Sequence, residues 1–371
     1  MNNRSLNDDT QLALIPHIQD TQRLMEMAIS ILNSGNGNAE ITIMPDLGVS
    51  SNPVRMKGGF FTGMFVWWDS PSIPFIPIDT TVNGCGVSVY TLNDTLSSIE
   101  FFERVNCAKK YFSQYSYSWN FERGNHFISY GITEEGVPCA VFHASVDEYK
   151  RSVGDCSLYP DNNIWYADDI RTVKLDNGRY LRFITGSFAE RFSKIATELP
   201  QKNDQRMDIA AELIFGKYLK EKCFYVPHYG MPDEHCVAIG CSWYKNQYAL
   251  LTARGKNIYL IRPQRSSDNQ KYILNPHGFG VQLSTPCKVD YQNNQTLSLN
   301  AIPITNQTQI LTTDIQQIRG IQMQDFEIKR HVDKILQICP GTVYDVIHQI
   351  ASVSSVGTDV FHRYSKIENG G

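Results

Sequence analysis

One cysteine and four histidines stand beside small or turn-forming residues in this sequence. Cys85 lies between Gly84 and Gly86, which leaves the thiol without neighbouring side chains and lets the backbone turn sharply. The histidines in comparable positions are His126, His143, His228 and His277. Thiolate and imidazole bind borderline divalent metals, and imidazole can also act as a nucleophile. These residue types therefore indicate a metal site, a nucleophilic site, or both.

A purely structural interpretation is open for each of these residues. A free cysteine is commonly buried as a small hydrophobic residue, and a histidine often serves only as a hydrogen-bonding group. The spacing matches no compact zinc motif such as H-E-x-x-H, so distant loops would have to assemble a metal site. A second arrangement would use His235 and Cys236 in place of His228.

Composition and charge narrow the class of protein. A chain of 371 residues that is 42% hydrophobic can bury a large core. We expect a soluble, cytoplasmic protein, because no stretch has the roughly 20 apolar residues of a membrane span and the first residues do not resemble a signal peptide. A monomer is expected, although the sequence does not determine the oligomeric state. Nine cysteines without C-x-x-C spacing argue against a disulfide framework.

The net charge of −4 argues against a protein that coats nucleic acid, so a nucleic-acid site would have to be local. The densest basic cluster can also be explained as a solvated face. It comprises Arg254, Lys256, Arg262 and Arg265.

Hydrophobic periodicity and turn signals predict mixed helices and strands in an irregular order. Helices are predicted at 21–32, 97–115, 187–199, 204–220, 325–338 and 341–353. Strands are predicted at 41–44, 58–68, 87–92, 126–131, 138–143 and 179–184, with short strands and long loops over 223–310. The irregular order favours an α+β fold with layered mixed sheets. We expect one domain over 1–371, with 1–18 and 365–371 frayed.

The order of short motifs resembles the RtcB family of RNA ligases over residues 20–285. The family blocks read approximately MPD-x-H, D-I-G-C-G, GNHF, H-S-G-S, H-N-Y and H-G-A-G. The corresponding blocks here are Met44-Pro-Asp46, Val82-Asn-Gly-Cys-Gly86, Gly124-Asn-His-Phe127, His143-Ala-Ser145, His228-Tyr-Gly230 and His277-Gly-Phe-Gly280. Six blocks in the family order are far more specific than any one of them.

The resemblance implies roles for these residues in an RtcB-like cleft with two manganese ions. It makes Cys85 a thiolate bridging both ions, with His126 on one ion and His143 and His228 on the other. Asn125 would contact a phosphate of GTP.

His277 would attack the α-phosphorus of GTP and carry guanylate. The implied activity is a GTP-dependent and manganese-dependent RNA ligase of tRNA splicing or RNA repair. It joins a 3′-phosphate or 2′,3′-cyclic phosphate end to a 5′-hydroxyl end, in some cases with an archease-like activator.

The sequence departs from the family at several of these positions. Val82 replaces the acidic metal ligand, so that a carboxylate would have to come from Asp79 or Asp46. Ser129 replaces a glutamate that contacts guanine, and Val281 replaces an arginine. Two alternatives follow: a metal-dependent phosphodiesterase or phosphatase, which would not need His277, and a non-catalytic RNA-binding relative.

Overall fold

A computed structural model describes residues 1–69, 71–149, 156–160, 165–264, 271–292, 296–305 and 315–361. Its helices are α1 (Asp9–Asn33), α2 (Pro53–Lys57), α3 (Ser98–Phe112), α4 (Gly186–Phe215) and α5 (Asp325–Ile338). Its first strands are β1 (Asn2–Asn3), β2 (Ala39–Gly48), β3 (Thr62–Trp68), β4 (Phe75–Pro77), β5 (Gly86–Leu92), β6 (Phe127–Thr133), β7 (Pro138–Ala144), β8 (Arg171–Lys174), β9 (Tyr180–Thr185), β10 (Leu219–Pro227), β11 (Tyr229–Asp233) and β12 (Cys236–Ile239). The others are β13 (Cys241–Ser242), β14 (Tyr248–Leu250), β15 (Ile258–Pro263), β16 (Asn275–Pro276), β17 (Val281–Leu283), β18 (Val289–Gln292), β19 (Thr296–Leu299), β20 (Ile302–Ile304), β21 (Gln316–Ile318), β22 (Gly341–Ser354) and β23 (Gly357–Val360).

The largest sheet has eight strands and curls into a half-barrel. Its order is β10-β5-β7-β6-β22-β15-β14, with β23 added beside β22, and every neighbouring pair is antiparallel. A second sheet has the order β1-β2-β3-β12-β11 and packs against α1. The described strands also form two sheets of two strands and two of three strands. The α+β fold with mixed sheets that the sequence predicts is therefore confirmed.

Helix α4 connects the two main cores, and it corrects the prediction of two separate helices at 187–199 and 204–220. The helix continues through Pro200, although an interior proline removes one backbone hydrogen bond. Burial on both sides of the proline compensates for that loss, because each half of the helix fills a different core. The first half contributes Ala189, Phe192, Ala196 and Leu199, and the second contributes Met207, Ala210, Ala211, Ile214 and Phe215.

The helix predicted at 341–353 is wrong, since these residues form strand β22. Val343, Val346, Ile347 and Ile350 have helical spacing, which misled the periodicity argument. In the fold, β22 pairs with β15 through its first half and with β6 through its second half. Each part of β22 thus has at least one hydrogen-bonded neighbour, and its last four residues also pair with β23.

The expectation that residues 1–18 are frayed is wrong, since Asn2 and Asn3 pair with β2 and residues from Asp9 onward form α1. Asp8 caps α1 by accepting a hydrogen bond from the Gln11 amide, and the Gln11 side chain accepts one in return. Leu14 and Ile18 are fully buried. The predicted helix 21–32 is thus the second half of a longer one, while residues 365–371 lie outside the described part of the chain.

Most other local predictions are confirmed to within a few residues. These are the helices α3 and α5 and the strands β2, β5, β6, β7 and β9. The predicted strand pair at 58–68 is only partly right, because a turn follows α2 at residues 58–59 and β3 begins at Thr62. Within the described ranges, none of the helices combines the length and apolar composition that a membrane crossing needs.

Candidate metal centre

Four adjacent strands of the half-barrel bring the predicted ligands to one end of the sheet. Cys85 directly precedes β5, and His126 directly precedes β6. His143 is the penultimate residue of β7, and His228 directly follows β10. Because the strands are antiparallel in the order β10-β5-β7-β6, the starts of β5 and β6 meet the ends of β7 and β10. The topology therefore converts distant sequence positions into one cluster.

The loop before β5 needs both glycines around Cys85. Gly84 has a φ of +66°, and a Cβ there would lie 2.7 Å from Cβ of Leu199 on α4. A Cβ on Gly86 would lie 2.6 Å from the Tyr225 ring. The Asn83 side chain accepts a hydrogen bond from the Cys85 amide at 2.9 Å. These constraints turn the Cys85 thiol toward the histidines.

Cys85, His143 and His228 form a buried three-donor group that could hold a metal ion. Sγ of Cys85 lies 3.0 Å from Nε2 of His143, which lies 3.2 Å from Nε2 of His228. The Cys85 carbonyl also accepts a hydrogen bond from the His228 amide at 2.9 Å. The strand ends are thereby tied together at the backbone as well as at the donor atoms.

Backbone carbonyls fix the tautomers of two histidines. Nδ1 of His143 lies 3.0 Å from the Asn125 carbonyl oxygen, and Nδ1 of His126 lies 2.9 Å from that of Asn120. A carbonyl oxygen only accepts, so each Nδ1 carries the hydrogen and each neutral ring keeps a lone pair on Nε2. Most metal-bound histidines donate their other ring N–H to a carbonyl or carboxylate in the same way.

Burial and the neighbouring histidines His277, His143 and His126 lower the pKa of His228 well below its usual value. The imidazole is therefore neutral at pH 7, which is the form that binds metal. Nε2 of His143 carries a lone pair and lies close to Nε2 of His228. Either a proton or a cation must therefore lie between these two atoms. A tetrahedral ion with ordinary zinc-type bond lengths separates two imidazole nitrogens by about 3.3 Å and a sulfur from a nitrogen by about 3.5 Å. The 3.2 Å between Nε2 of His143 and Nε2 of His228 is close to the first distance, and the 3.0 Å between Sγ of Cys85 and Nε2 of His143 is shorter than the second.

His126 lies at the edge of this group. Its Nε2 is 3.8 Å from Sγ of Cys85, and its ring meets that of His143 edge-on. The three-donor group does not include it. His126 therefore lies beside the group, with its Nε2 facing the Cys85 sulfur.

The carboxylates considered as replacements at Val82 have other contacts in the structure. Both oxygens of the buried Asp79 accept hydrogen bonds from Nε of Arg182, at 3.0 and 3.2 Å. Asp46 contacts His277. The metal cluster found among the described residues contains no carboxylate.

His277 stands next to the cluster with a carboxylate behind it. Its Nδ1 lies 2.5 Å from Oδ2 of Asp46, which also accepts a hydrogen bond from the His277 amide at 3.1 Å. The ring stacks on His228 at 4.9 Å, and the side chain is 12% exposed. Oδ1 of Asp46 is buried and has no hydrogen-bond partner among the described residues. Asp46 therefore directs Oδ2 at Nδ1 of His277.

The remaining predicted positions have different surroundings. Asn125 is exposed, and only its backbone carbonyl has a described role, as the acceptor for His143. Ser129 is buried, and its hydroxyl donates to Oε1 of Gln349 at 2.7 Å. In the alternative metal pair, His235 contacts Glu234 and the Cys236 thiol donates to Asp233. Neither joins the three-donor group, which uses His228.

Two of the four residues of the basic cluster contact other side chains of the protein. Arg254 forms an ion pair with Asp359, and Arg262 packs over the Tyr344 ring at 4.5 Å. Arg265 lies outside the described residues. The cluster thus offers less free positive charge than its sequence suggests.

Sequence reasoning missed the residues behind the histidines: Asn120, which contacts His126, and Arg206, which contacts the Ser145 carbonyl. Asn120 acts through its carbonyl, which every residue possesses, so residue type carries no signal. Arg206 lies in the stretch predicted as a separate helix, 80 residues from His126. Only the fold relates it to the site.

The chain was compared with protein-family models and with curated proteins, and neither comparison found a match.

Proposed function

We propose that this protein is a GTP-dependent RNA ligase of the RtcB type that works through a guanylylated His277. The observation that carries the proposal is the Asp46–His277 pair beside the Cys85–His143–His228 group. A metal site alone does not require a histidine that is oriented by a buried carboxylate and stacked on a ligand. A nucleophilic imidazole does, because its Nε2 must keep a lone pair and its ring gains positive charge during attack.

The proposed first reaction joins His277 to guanylate. Nε2 attacks the α-phosphorus, a phosphorus–nitrogen bond forms, and pyrophosphate leaves with the electrons of the broken phosphorus–oxygen bond. Asp46 stabilises the imidazolium as that bond forms. Asn125, exposed beside His126, would contact a phosphate of the nucleotide.

The later steps act on RNA. Water opens a 2′,3′-cyclic phosphate to a 3′-phosphate, whose oxygen then displaces His277 from the guanylate phosphorus. The 5′-hydroxyl of a second RNA end attacks the activated 3′-phosphorus, and GMP leaves. The roles in tRNA splicing or RNA repair, the cytoplasmic location, the RtcB-type layering and an archease-like activator belong to the same proposal.

The proposal includes two manganese ions, as the resemblance implies. Cys85, His143 and His228 would hold one, and Cys85 with His126 would hold the other. When bound, the ions would neutralise the triphosphate and the departing pyrophosphate. The thiolate and neutral imidazoles suit a borderline divalent ion, and the choice of manganese rests on the resemblance.

A second candidate is a metal-dependent phosphodiesterase or phosphatase. The observation in its favour is that the group supplies three protein ligands, the number typical of catalytic sites that keep a position for water. This activity would survive the loss of His277, whereas nucleotidyl transfer would not. A non-catalytic RNA-binding relative would show neither activity.

The test is covalent labelling with manganese and GTP radiolabelled at the α-phosphate. We expect acid-labile label on the native protein and none on His277→Ala, with metal content unchanged. His235→Ala is the matched control, because this half-buried histidine lies outside the cluster and should label normally. Absence of label on a native protein that binds metal would contradict the ligase and favour the hydrolase.

Nucleotide preference provides a separate prediction. Ser129 stands at the guanine-reading position and its hydroxyl is committed to Gln349, so the polar contact that rejects other bases is missing. We expect labelling from α-labelled ATP within about tenfold of that from GTP, since discrimination depends on groups left unpaired by the wrong substrate. A preference for GTP above roughly 100-fold would mean that another residue reads the base.

A further inference from the structure

His126 is held in place by a series of contacts that starts at Nδ1, the ring nitrogen that faces away from Cys85. His126 is the outlying histidine of the cluster, and its Nδ1 is held by the Asn120 carbonyl at 2.9 Å. The loop that carries both residues, 118–126, precedes β6 and contains no helix or strand. Something outside this loop must therefore fix it relative to Cys85 and His143.

Asn120 provides the first connection. Its fully buried side-chain amide donates to the carbonyl oxygen of Ser145, two residues beyond His143. The loop carrying His126 is thereby joined to the end of the strand carrying His143. Both histidines then move with the same backbone.

Arg206 on α4 closes the connection. Its fully buried guanidinium donates from Nη1 to the same Ser145 carbonyl at 2.5 Å and pairs through Nη2 with Glu148. Glu148 also accepts a hydrogen bond from the Ser118 amide. The Arg206 side chain thus contacts the segment after His143 directly, and the loop before His126 through Glu148.

The same face of α4 contacts this segment a second time. Asn203, nearly one turn before Arg206, donates to the Ala144 carbonyl at 2.7 Å. Leu199, one turn earlier, packs under Gly84 beside Cys85. The middle of α4 therefore sets the backbone around three of the four candidate ligands.

We propose that Arg206 is a positioning residue for the candidate metal centre, which holds His126 in its metal-facing tautomer through Ser145, Asn120 and Glu148. The metal role of His126 rests on the proposed function, but its orientation does not. A buried arginine fork suits this task, because its planar donors can bind a carbonyl and a carboxylate at once. A lysine keeps the charge and cannot hold both groups in the same geometry.

The test reads the histidine ring directly by long-range ¹H–¹⁵N NMR of metal-free, histidine-labelled protein. In the native protein we expect His126 as a single Nδ1–H tautomer. In Arg206→Lys we expect mixed His126 tautomers, while His17 on α1, whose Nε2 lies 3.0 Å from the Val289 carbonyl oxygen, stays unchanged as an internal reference. Cobalt binding that involves His126 should weaken about 10-fold to 100-fold, the usual effect of losing an outer-shell partner.

Two further variants separate positioning from simple loss of stability. Asn120→Ala keeps the Arg206–Glu148 pair and should also release the His126 tautomer. Arg104→Lys is the matched control, because Arg104 likewise joins a carboxylate, Glu100, to a main-chain carbonyl, that of Ile214. It lies on α3 and should leave His126 unchanged.

The outcomes are distinct. A single His126 tautomer in both Arg206→Lys and Asn120→Ala, or mixed tautomers in the native protein, would overturn the inference. If the variants release His126 but the native protein binds no cobalt, the positioning role stands and the proposed metal function fails.

Discussion

Cys85→Ala is expected to abolish tight metal binding, with an affinity loss above about 100-fold, beyond the range of outer-shell changes. The variant removes the only charged donor of the Cys85–His143–His228 group and the sulfur that both proposed positions share. The remaining imidazoles are neutral, so they cannot offset the charge of a divalent ion. Cobalt titration measures the effect, because thiolate ligation gives a sulfur-to-metal charge-transfer band that imidazole ligation lacks.

Cys139→Ala is the control for this substitution. Cys139 is also buried and lies on β7, four residues before His143, in a separate apolar cluster. Cys139→Ala also removes a buried thiol at the large sheet. It should reduce stability while leaving the cobalt spectrum intact. A charge-transfer band that persists in Cys85→Ala would show that another thiol binds the metal.

The folding of α3 and β5 could be predicted because their determinants are local. Ser97 caps α3 by accepting from the Glu100 amide, and the apolar pattern of Val87 to Leu92 marks a buried strand. Segments that depend on distant partners could not be predicted in this way. β22 has helical spacing and becomes a strand because β6 and β15 flank it. Helix α4 passes Pro200 because its two halves fill two cores.

In the candidate site, too, some features have local determinants and others depend on distant residues. Side-chain chemistry and motif order pointed to Cys85, His143 and His228, which the fold brings together. The contacts of Asp79 and Asp46 could not be anticipated, because they depend on Arg182 and on the loop at His277. Residue type therefore predicts which groups can react, while the fold determines which partner each group has.

The stacking of His277 on His228 links the two halves of the proposed site. Pro276 pairs with Cys241 in β16 and β13, and the Cys241 amide donates to the His228 carbonyl at 3.0 Å. The nucleophile candidate is thus connected to the metal cluster through two backbone steps. Mutation can still separate metal binding from the orientation of His277. Among the described side-chain contacts, Asp46 binds His277 and none of the residues of the Cys85–His143–His228 group.

Asp46→Asn should lower the rate of covalent labelling by about 10³-fold to 10⁴-fold, as in other enzymes where the carboxylate behind a catalytic histidine is replaced by its amide. The amide can donate to Nδ1, which would move the ring hydrogen to Nε2 and block the attacking lone pair. It also removes the buried charge that stabilises the imidazolium. Single-turnover labelling with α-labelled GTP measures the rate.

The substitution keeps the size of the side chain, so cobalt affinity and its spectrum should remain native. Asp233→Asn is the matched control, because Asp233 also accepts several hydrogen bonds, from Tyr272 and the His235 amide among others, but lies outside the site. Its labelling rate should equal that of the native protein. Native labelling in Asp46→Asn would mean that the 2.5 Å contact with His277 is structural, and that the nucleophile, if there is one, acts without a carboxylate behind it.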